Sequence, residues 1–241
     1  MTRLLFVVFL GLAAGWGLIR AWRGRGDSGT DILHPRTRRD PVGIAIQTPL
    51  FFLAVWFAWH GGALSRVLFS PVPWVLGLTL GHIVFAASLL ITHGHLRDVA
   101  DVLFGPIRVV RFAVEHFDLT LRVIAVAFTE EVIFREAAQH DVLIPLTSAV
   151  PGILITAVCF VAVHEHLFRN TARGLVEFVG FALLLGGLYH ALDNLALVTA
   201  VHAARNLESS WLETEYGEAG QLEGMRPDRV DCPVGAYDGS G

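Results

Sequence analysis

The sequence predicts an all-α fold, a polytopic bundle of about seven (seven to eight) transmembrane helices, on three observations. Of its 241 residues 54% are hydrophobic and only 17% charged, and the mean hydropathy is +0.56, a balance too apolar for an ordinary soluble domain. The apolar residues gather in runs near 20 residues long, the length that crosses a ~30 Å hydrocarbon core at about 1.5 Å per residue. The arginines, finally, are concentrated in alternate connections between those runs, as the positive-inside rule requires of a multi-pass protein.

The runs are 4–22, 42–64, 73–92, 119–139, 146–168, 174–189 and 195–212. The first has Arg3 ahead of it, Arg20, Arg23 and Arg25 behind it, and no small-residue cleavage site, so it reads as a retained span rather than a signal peptide. The stretch 102–116 is the candidate for an eighth, but Arg108 and Arg111 fit it better to an amphipathic helix lying in the interface. The first, third and fifth connections hold Arg23, Arg25, Arg36, Arg38 and Arg39, then Arg97, Arg108 and Arg111, then Arg169 and Arg173. Those loops and the C-terminus are therefore expected in the cytoplasm. Trp22, Trp56, Trp59, Trp74 and Trp211 fall along the first spans or near span ends, roughly as an aromatic belt does.

The chain divides into N-terminal helices and loops over 1–118, a helix bundle over 119–208 and an acidic tail over 213–241. From Glu208 onward there are eight acidic residues against Arg226 and Arg229, so the net charge of -4 belongs to the tail, whose polar, Gly- and Pro-punctuated composition reads as disordered. The rest is slightly basic, and nothing in it calls for nucleic acid. Cys159 and Cys232 form no disulfide framework or thiolate metal cluster. No lysine occurs, so every fixed positive charge is an arginine, suited to planar pairing with carboxylates.

Three polar constellations interrupt the apolar helices. In Glu130-Glu131-Val132-Ile133-Phe134-Arg135 the acid at 131 and the base at 135 are i,i+4 with the acid first, the favourable orientation for a pair on one helix. Glu130 points about 100° away and has no partner in its own turn. An ionisable group at membrane depth costs at least roughly 2.5–3.5 kcal/mol and marks a functional site, and an unpaired carboxylate in a low-dielectric site becomes a base near neutral pH. The competing expectation is an inter-helix ion network that only holds the bundle together. In Phe160-Val161-Ala162-Val163-His164 the i,i+4 spacing lets the ring limit the imidazole's rotamers, although a lone histidine there is also compatible with a structural hydrogen bond. Glu165 and His166, the next two residues, stand where the helix leaves the membrane. In His202-Ala203-Ala204-Arg205-Asn206 a histidine and an asparagine share one face, two donors of the kind that stabilise an oxyanion. His190 and Asn194 repeat the spacing at a short turn, where a solvated helix cap is the simpler reading.

Together these pieces resemble the CAAX prenyl protease 2 family, also called the CPBP or Abi group of intramembrane proteases, which shows EExxxR, FxxxH and HxxxN or HxxxD on successive membrane helices. The resemblance covers roughly 119–208, with no matching motif before it. The family's Gly-Leu-hydrophobic-Tyr stretch, about a dozen residues before the third-motif histidine, has a counterpart in Gly186-Gly187-Leu188-Tyr189, which favours His202 and Asn206 over His190 and Asn194. One departure is Glu136, where the family usually has a small residue, often Gly; it adds a charge at the edge of the site.

The resemblance implies a glutamate-dependent, metal-independent endopeptidase in the cell membrane, its cavity open to the cytoplasm. Glu130 with His164 would hold and deprotonate a water, His202 and Asn206 would donate to the oxyanion, and Glu131, Arg135 and Phe160 would support them. The substrate would be a membrane-associated peptide or protein, prenylated at a C-terminal CaaX sequence in the family's eukaryotic branch. The rivals are a zinc enzyme built on Glu130, His164 and His202, although no His-Glu-x-x-His motif is present, and a non-proteolytic scaffold or immunity protein of the same fold. A transporter would call for repeats or broken helices in two halves, and neither is seen. Gly24-Arg25-Gly26-Asp27 has the letters of an aspartyl intramembrane protease motif but sits in an arginine-rich loop, and the serine of a rhomboid motif is missing.

Overall fold

The computed structural model describes residues 1–23, 40–64, 70–92, 100, 102–164 and 171–224, with side chains to residue 214. Among them the elements are α1 (Thr2–Arg23), α2 (Pro41–His60), α3 (Val72–Thr92), α4 (Pro106–Glu115), α5 (Phe117–Glu131), a π-helix (Val132–Leu143), α6 (Ile144–Leu146), α7 (Ala149–Ala162), α8 (Ala172–Leu192) and α9 (Leu195–Gly224), with no strand. The fold is all-helical, as the sequence predicts. Glu165, His166 and the Gly24–Asp27 stretch named above lie outside the described residues, as do 225–241.

Among the described residues four helices are long and apolar enough to cross a membrane: α1, α2, α3 and α8. The seven expected spans are not reached on that criterion, for two physical reasons. The run 119–139 is divided between α5, 15 residues, and the π-helix, 12 residues, each too short by itself, and the run 195–212 carries Arg205 and Glu208, which lower its hydropathy. The run 146–168 contracts to α7, 14 residues, about 21 Å at 1.5 Å per residue. The stretch 102–116 forms the short α4, 10 residues with Val109 and Phe112 buried and Ile107 and Val110 exposed, too short to span. Helix α9 continues to Gly224, twelve residues past the end expected for its run.

The larger departure is the π-helix. An unbroken α-helix is expected over 119–139, but hydrogen bonding changes register at Val132, directly after the two glutamates, and stays wide for 12 residues. Mid-helix π segments are rare and collect at functional sites. The wider turn gives room to bury Arg135, Glu136 and Gln139 together, each fully.

Packing around this helix is tight. Helix α3 lies along α9 through Gly77 and Gly81: a Cβ on Gly77 would stand 2.6 Å from Ala200 Cβ, and one on Gly81 2.8 Å from the Val201 carbonyl oxygen. This is the small-xxx-small spacing by which membrane helices approach backbone to backbone. Helix α1 is tied to α2 by Asp40, which caps α2 by accepting from the Gly43 amide at 2.9 Å and also accepts from Trp16 Nε1 at 2.8 Å, with Arg20 Nη1 3.1 Å away. Those bonds, the Gly43 amide first and then Trp16, hold the Asp40 carboxyl below its ordinary value. One continuous core includes Phe6, Phe57, Phe134, Phe160, Phe181 and Tyr189, and the polar site is set into it.

Candidate functional site

Glu130 and Glu131 are adjacent, yet the end of α5 sends them into different surroundings. Glu131 is fully buried and satisfied: Oε2 accepts from Arg135 Nε at 3.0 Å, as the i,i+4 spacing predicts, and Oε1 lies 2.7 Å from His202 Nδ1 on α9. The His202 contact requires a hydrogen on Nδ1, because a carboxylate only accepts. His202 Nε2 is thereby turned to the other glutamate, 3.6 Å from Glu130 Oε2.

His164, just past the end of α7, faces the same carboxylate from the other side. Its Nδ1 donates to the Phe160 carbonyl oxygen at 2.6 Å, and its Nε2 stands 3.7 Å from Glu130 Oε1. Glu130 therefore meets one imidazole with each oxygen, at separations just beyond a direct hydrogen bond. Its Oε2 is buried without a hydrogen-bond partner, a costly condition for a carboxylate oxygen.

Phe160, which the sequence pairs with His164, is a hub. It is fully buried, with ring centroids 4.6 Å from His164, 5.8 Å from His202, 5.2 Å from Phe134 and 5.6 Å from Phe178, and the Arg135 guanidinium carbon lies 5.0 Å above it. One ring thus locks both imidazoles and offers its π-face to a cation whose two Nη atoms make no hydrogen bond.

Asn206 stands one turn beyond His202 on α9. Its Oδ1 lies 3.3 Å from Arg205 Nη1. His190 and Asn194 are not part of this cluster: His190 is exposed, and Asn194 Oδ1 caps α9 by accepting from the Leu197 amide at 3.0 Å. Glu136, expected at the edge of the site, is directed elsewhere. It accepts from the Tyr189 hydroxyl and lies beside Gly61, where α2 ends. The Gly186-Gly187-Leu188-Tyr189 stretch owes its form to that neighbour: Gln139 Nε2 donates to the Gly186 carbonyl at 2.8 Å, and a Cβ on Gly186 would come within 2.9 Å of Gln139 Oε1.

A cavity of about 650 Å³ reaches Glu130 between α1, α2 and α5. Its walls are mostly apolar, among them Ala13, Ile44, Phe51, Val126 and Phe134, with Gln47, Thr48 and Thr129 as the polar positions beside Glu130. Ile44, Phe52 and Val126 continue outward as exposed apolar surface, so the cavity is continuous with an apolar outer face of the bundle. Sequence reading missed these α1 and α2 contributions and the face of α8 that carries Glu177, Phe178 and Phe181. The signal for the latter was present: Glu177 is an acid inside an apolar run, with Arg205 as its partner.

Residues 113–207 match the family model described as Type II CAAX prenyl endopeptidase Rce1-like. Over this segment the chain is similar to the CAAX prenyl proteases. The matched segment runs from α4 into α9 and takes in Glu130, Glu131, Arg135, Phe160, His164, His202 and Asn206, while the α1 and α2 walls of the cavity lie outside it. Neither the curated proteins nor the solved structures gave a match. This partial match and the apolar helices together support a multi-pass membrane protein of peptidase type.

Proposed function

We propose that this protein is an intramembrane endopeptidase that cleaves a membrane-associated peptide or protein near its C-terminus, with Glu130 as the base. The observation that carries the reading is Glu130 suspended between two imidazole Nε2 atoms at 3.6 and 3.7 Å with a buried, unpartnered oxygen. A water held there is oriented by His164 and gives its proton to Glu130 as its oxygen attacks the scissile carbonyl. The tetrahedral oxyanion takes hydrogen bonds from Asn206 Nδ2 and from His202 Nε2, which must carry a second proton for this role because Nδ1 gives its own to Glu131. As the C–N bond breaks, Glu130 returns the proton to the departing amine. Glu131 holds His202 by Nδ1, and Arg135 and Phe160 hold Glu131 and both rings, so the site is preorganised before substrate arrives.

The apolar cavity supports a substrate that approaches from the lipid phase, a lipid-modified C-terminus or an apolar segment. The arginine-rich connections that follow α1 and α3 in the sequence support a site that opens to the cytoplasm.

One observation favours a zinc-dependent version. Both histidines donate Nδ1–H to a carbonyl or carboxylate, as metal-bound histidines do. Against it, the only three ligand atoms found within 4.8 Å of one another, among the described residues, are those of Glu136, His140 and Asp141, not those of Glu130, His164 and His202. A single ion needs a closer set, which leaves the water-holding arrangement as the better account.

The test is cleavage of a prenylated CaaX peptide and its non-prenylated counterpart by the purified protein in detergent, with the cut bond located by mass spectrometry. Cleavage of the lipidated peptide alone supports the lipid-anchored substrate. Cleavage of neither opposes the peptidase reading in favour of a scaffold of the same fold.

A further inference from the structure

Arg205 lies between the two residues at the far wall of the site and a buried acid on α8. Its Nη2 donates to both Glu177 oxygens, at 3.0 and 2.9 Å, and its Nε to Oε1 at 3.3 Å. Glu177 also accepts from Ser88 on α3 at 2.6 Å, so α3, α8 and α9 meet in one network. The guanidinium carbon lies 4.7 Å above the Phe181 ring, and that ring stands 5.5 Å from His202. Carboxylate and ring between them fix the guanidinium plane, a fork that a lysine does not reproduce. The remaining nitrogen, Nη1, is directed to Asn206 Oδ1 at 3.3 Å.

A guanidinium has five N–H donors and no acceptor. Whichever end of the Asn206 amide faces it must therefore be the oxygen, and the NH2 is the end left for a ligand. Reversed, the amide would present an oxygen lone pair to a developing oxyanion and repel it. We infer that Arg205, anchored by Glu177 and Ser88, is a positioning residue that sets the orientation of the Asn206 amide, so that Nδ2 is the end presented on the His202 face of α9. The orientation itself stands on geometry; its kinetic consequence rests on the peptidase reading above.

The experiment has two arms. Removing the arginine alone leaves Glu177 buried without its counter-charge, so the test variant is Arg205→Met combined with Glu177→Gln, with Arg205→Lys as the conservative comparison. In peptide cleavage the Asn206→Ala change is expected to lower kcat about 10²-fold, the scale of one lost oxyanion donor, and the Arg205→Met/Glu177→Gln variant at least about 10-fold, with KM nearly unchanged. In an Asn206→Ala background the Arg205 change is expected to add less than about 2-fold, because the group it positions is gone. Effects that multiply in full, or a change in KM alone, would overturn the inference.

The second arm needs no activity. The chain has three asparagines, Asn170, Asn194 and Asn206, so side-chain 15N-asparagine labelling gives three NH2 pairs, and the pair absent in Asn206→Ala is that of Asn206. It is expected to move in the Arg205→Met/Glu177→Gln variant, partly return in Arg205→Lys, and stay in place in Arg111→Met, whose partner Glu115 lies on exposed α4. An Asn206 signal unmoved by loss of Arg205 refutes the contact. If the wild type cleaves no peptide, the peptidase reading falls while this arm still decides the orientation.

Discussion

Two adjacent glutamates should respond in opposite ways to the same change. Glu131 and Arg135 are both fully buried, paired at 3.0 Å, and no other carboxylate is recorded against the guanidinium among the described residues. Glu131→Gln keeps the shape and an acceptor for His202 but leaves the Arg135 charge buried and unanswered. Breaking a buried pair from one side costs about 3–5 kcal/mol, which at roughly 2–4 °C per kcal/mol for a chain of this size lowers the melting point by about 6–20 °C. Glu130 makes no contact shorter than 3.6 Å to either imidazole, so Glu130→Gln removes no direct ion pair and should move stability by less than about 1 kcal/mol. Neutralising both partners, Glu131→Gln with Arg135→Met, should recover much of the loss. Thermal unfolding of the detergent-solubilised protein, followed by the fluorescence of its six tryptophans, reads all four proteins on one scale. Equal melting of the two single glutamate variants, or greater damage from Glu130→Gln, would refute the division of labour between them.

Three further outcomes are expected. Phe160→Ala removes the ring that both imidazoles and Arg135 share and should cost about 3–5 kcal/mol, with activity lost even below the new melting point; an active, merely less stable variant would contradict the hub role. Gly81→Val places a side chain against the Val201 backbone and Ala204 and should loosen α3 from α9, seen as faster proteolysis of the detergent-solubilised protein, whereas Gly15→Ala, whose Cβ meets nothing within 4 Å, should be silent. The depressed Asp40 carboxyl stabilises the folded state fully above the unfolded value of 3.8, and that contribution is lost as pH falls through its lower folded value. Asp40→Asn should flatten this acid limb of the stability profile, and an unchanged limb would show that the clamp on Trp16 and Gly43 contributes nothing.

Much of the site was legible because its chemistry is local. The Glu131–Arg135 pair and the Phe160–His164 contact are both i,i+4 relations, and an i,i+4 spacing is a distance. The partners of Glu130 were not legible from spacing alone. That His164 and His202 approach it from opposite sides depends on how α5, α7 and α9 cross, and the motif resemblance supplied the grouping. The π-helix left no periodic signal, because 119–139 reads equally well as α until the burial of Arg135, Glu136 and Gln139 together demands a wider turn. Glu136 shows the limit most clearly. Its position next to Arg135 in sequence suggested the edge of the site, whereas the structure sends it to Tyr189, fifty-three residues away. The seven-span count is left unconfirmed because the register change at Val132 divides 119–139 and because Arg205 and Glu208 lower the hydropathy of 195–212.

In the proposed mechanism Glu130 activates a water for peptide hydrolysis without a metal. The most direct measurement is the rate of cleavage of a prenylated CaaX peptide by the wild-type protein and by Glu130→Gln, each with and without a strong chelator. The expected result is wild-type cleavage unchanged by chelator and a Glu130→Gln protein that melts like the wild type yet does not cleave. Cleavage abolished by chelator and restored by zinc, or a Glu130→Gln protein that still cleaves, would contradict it.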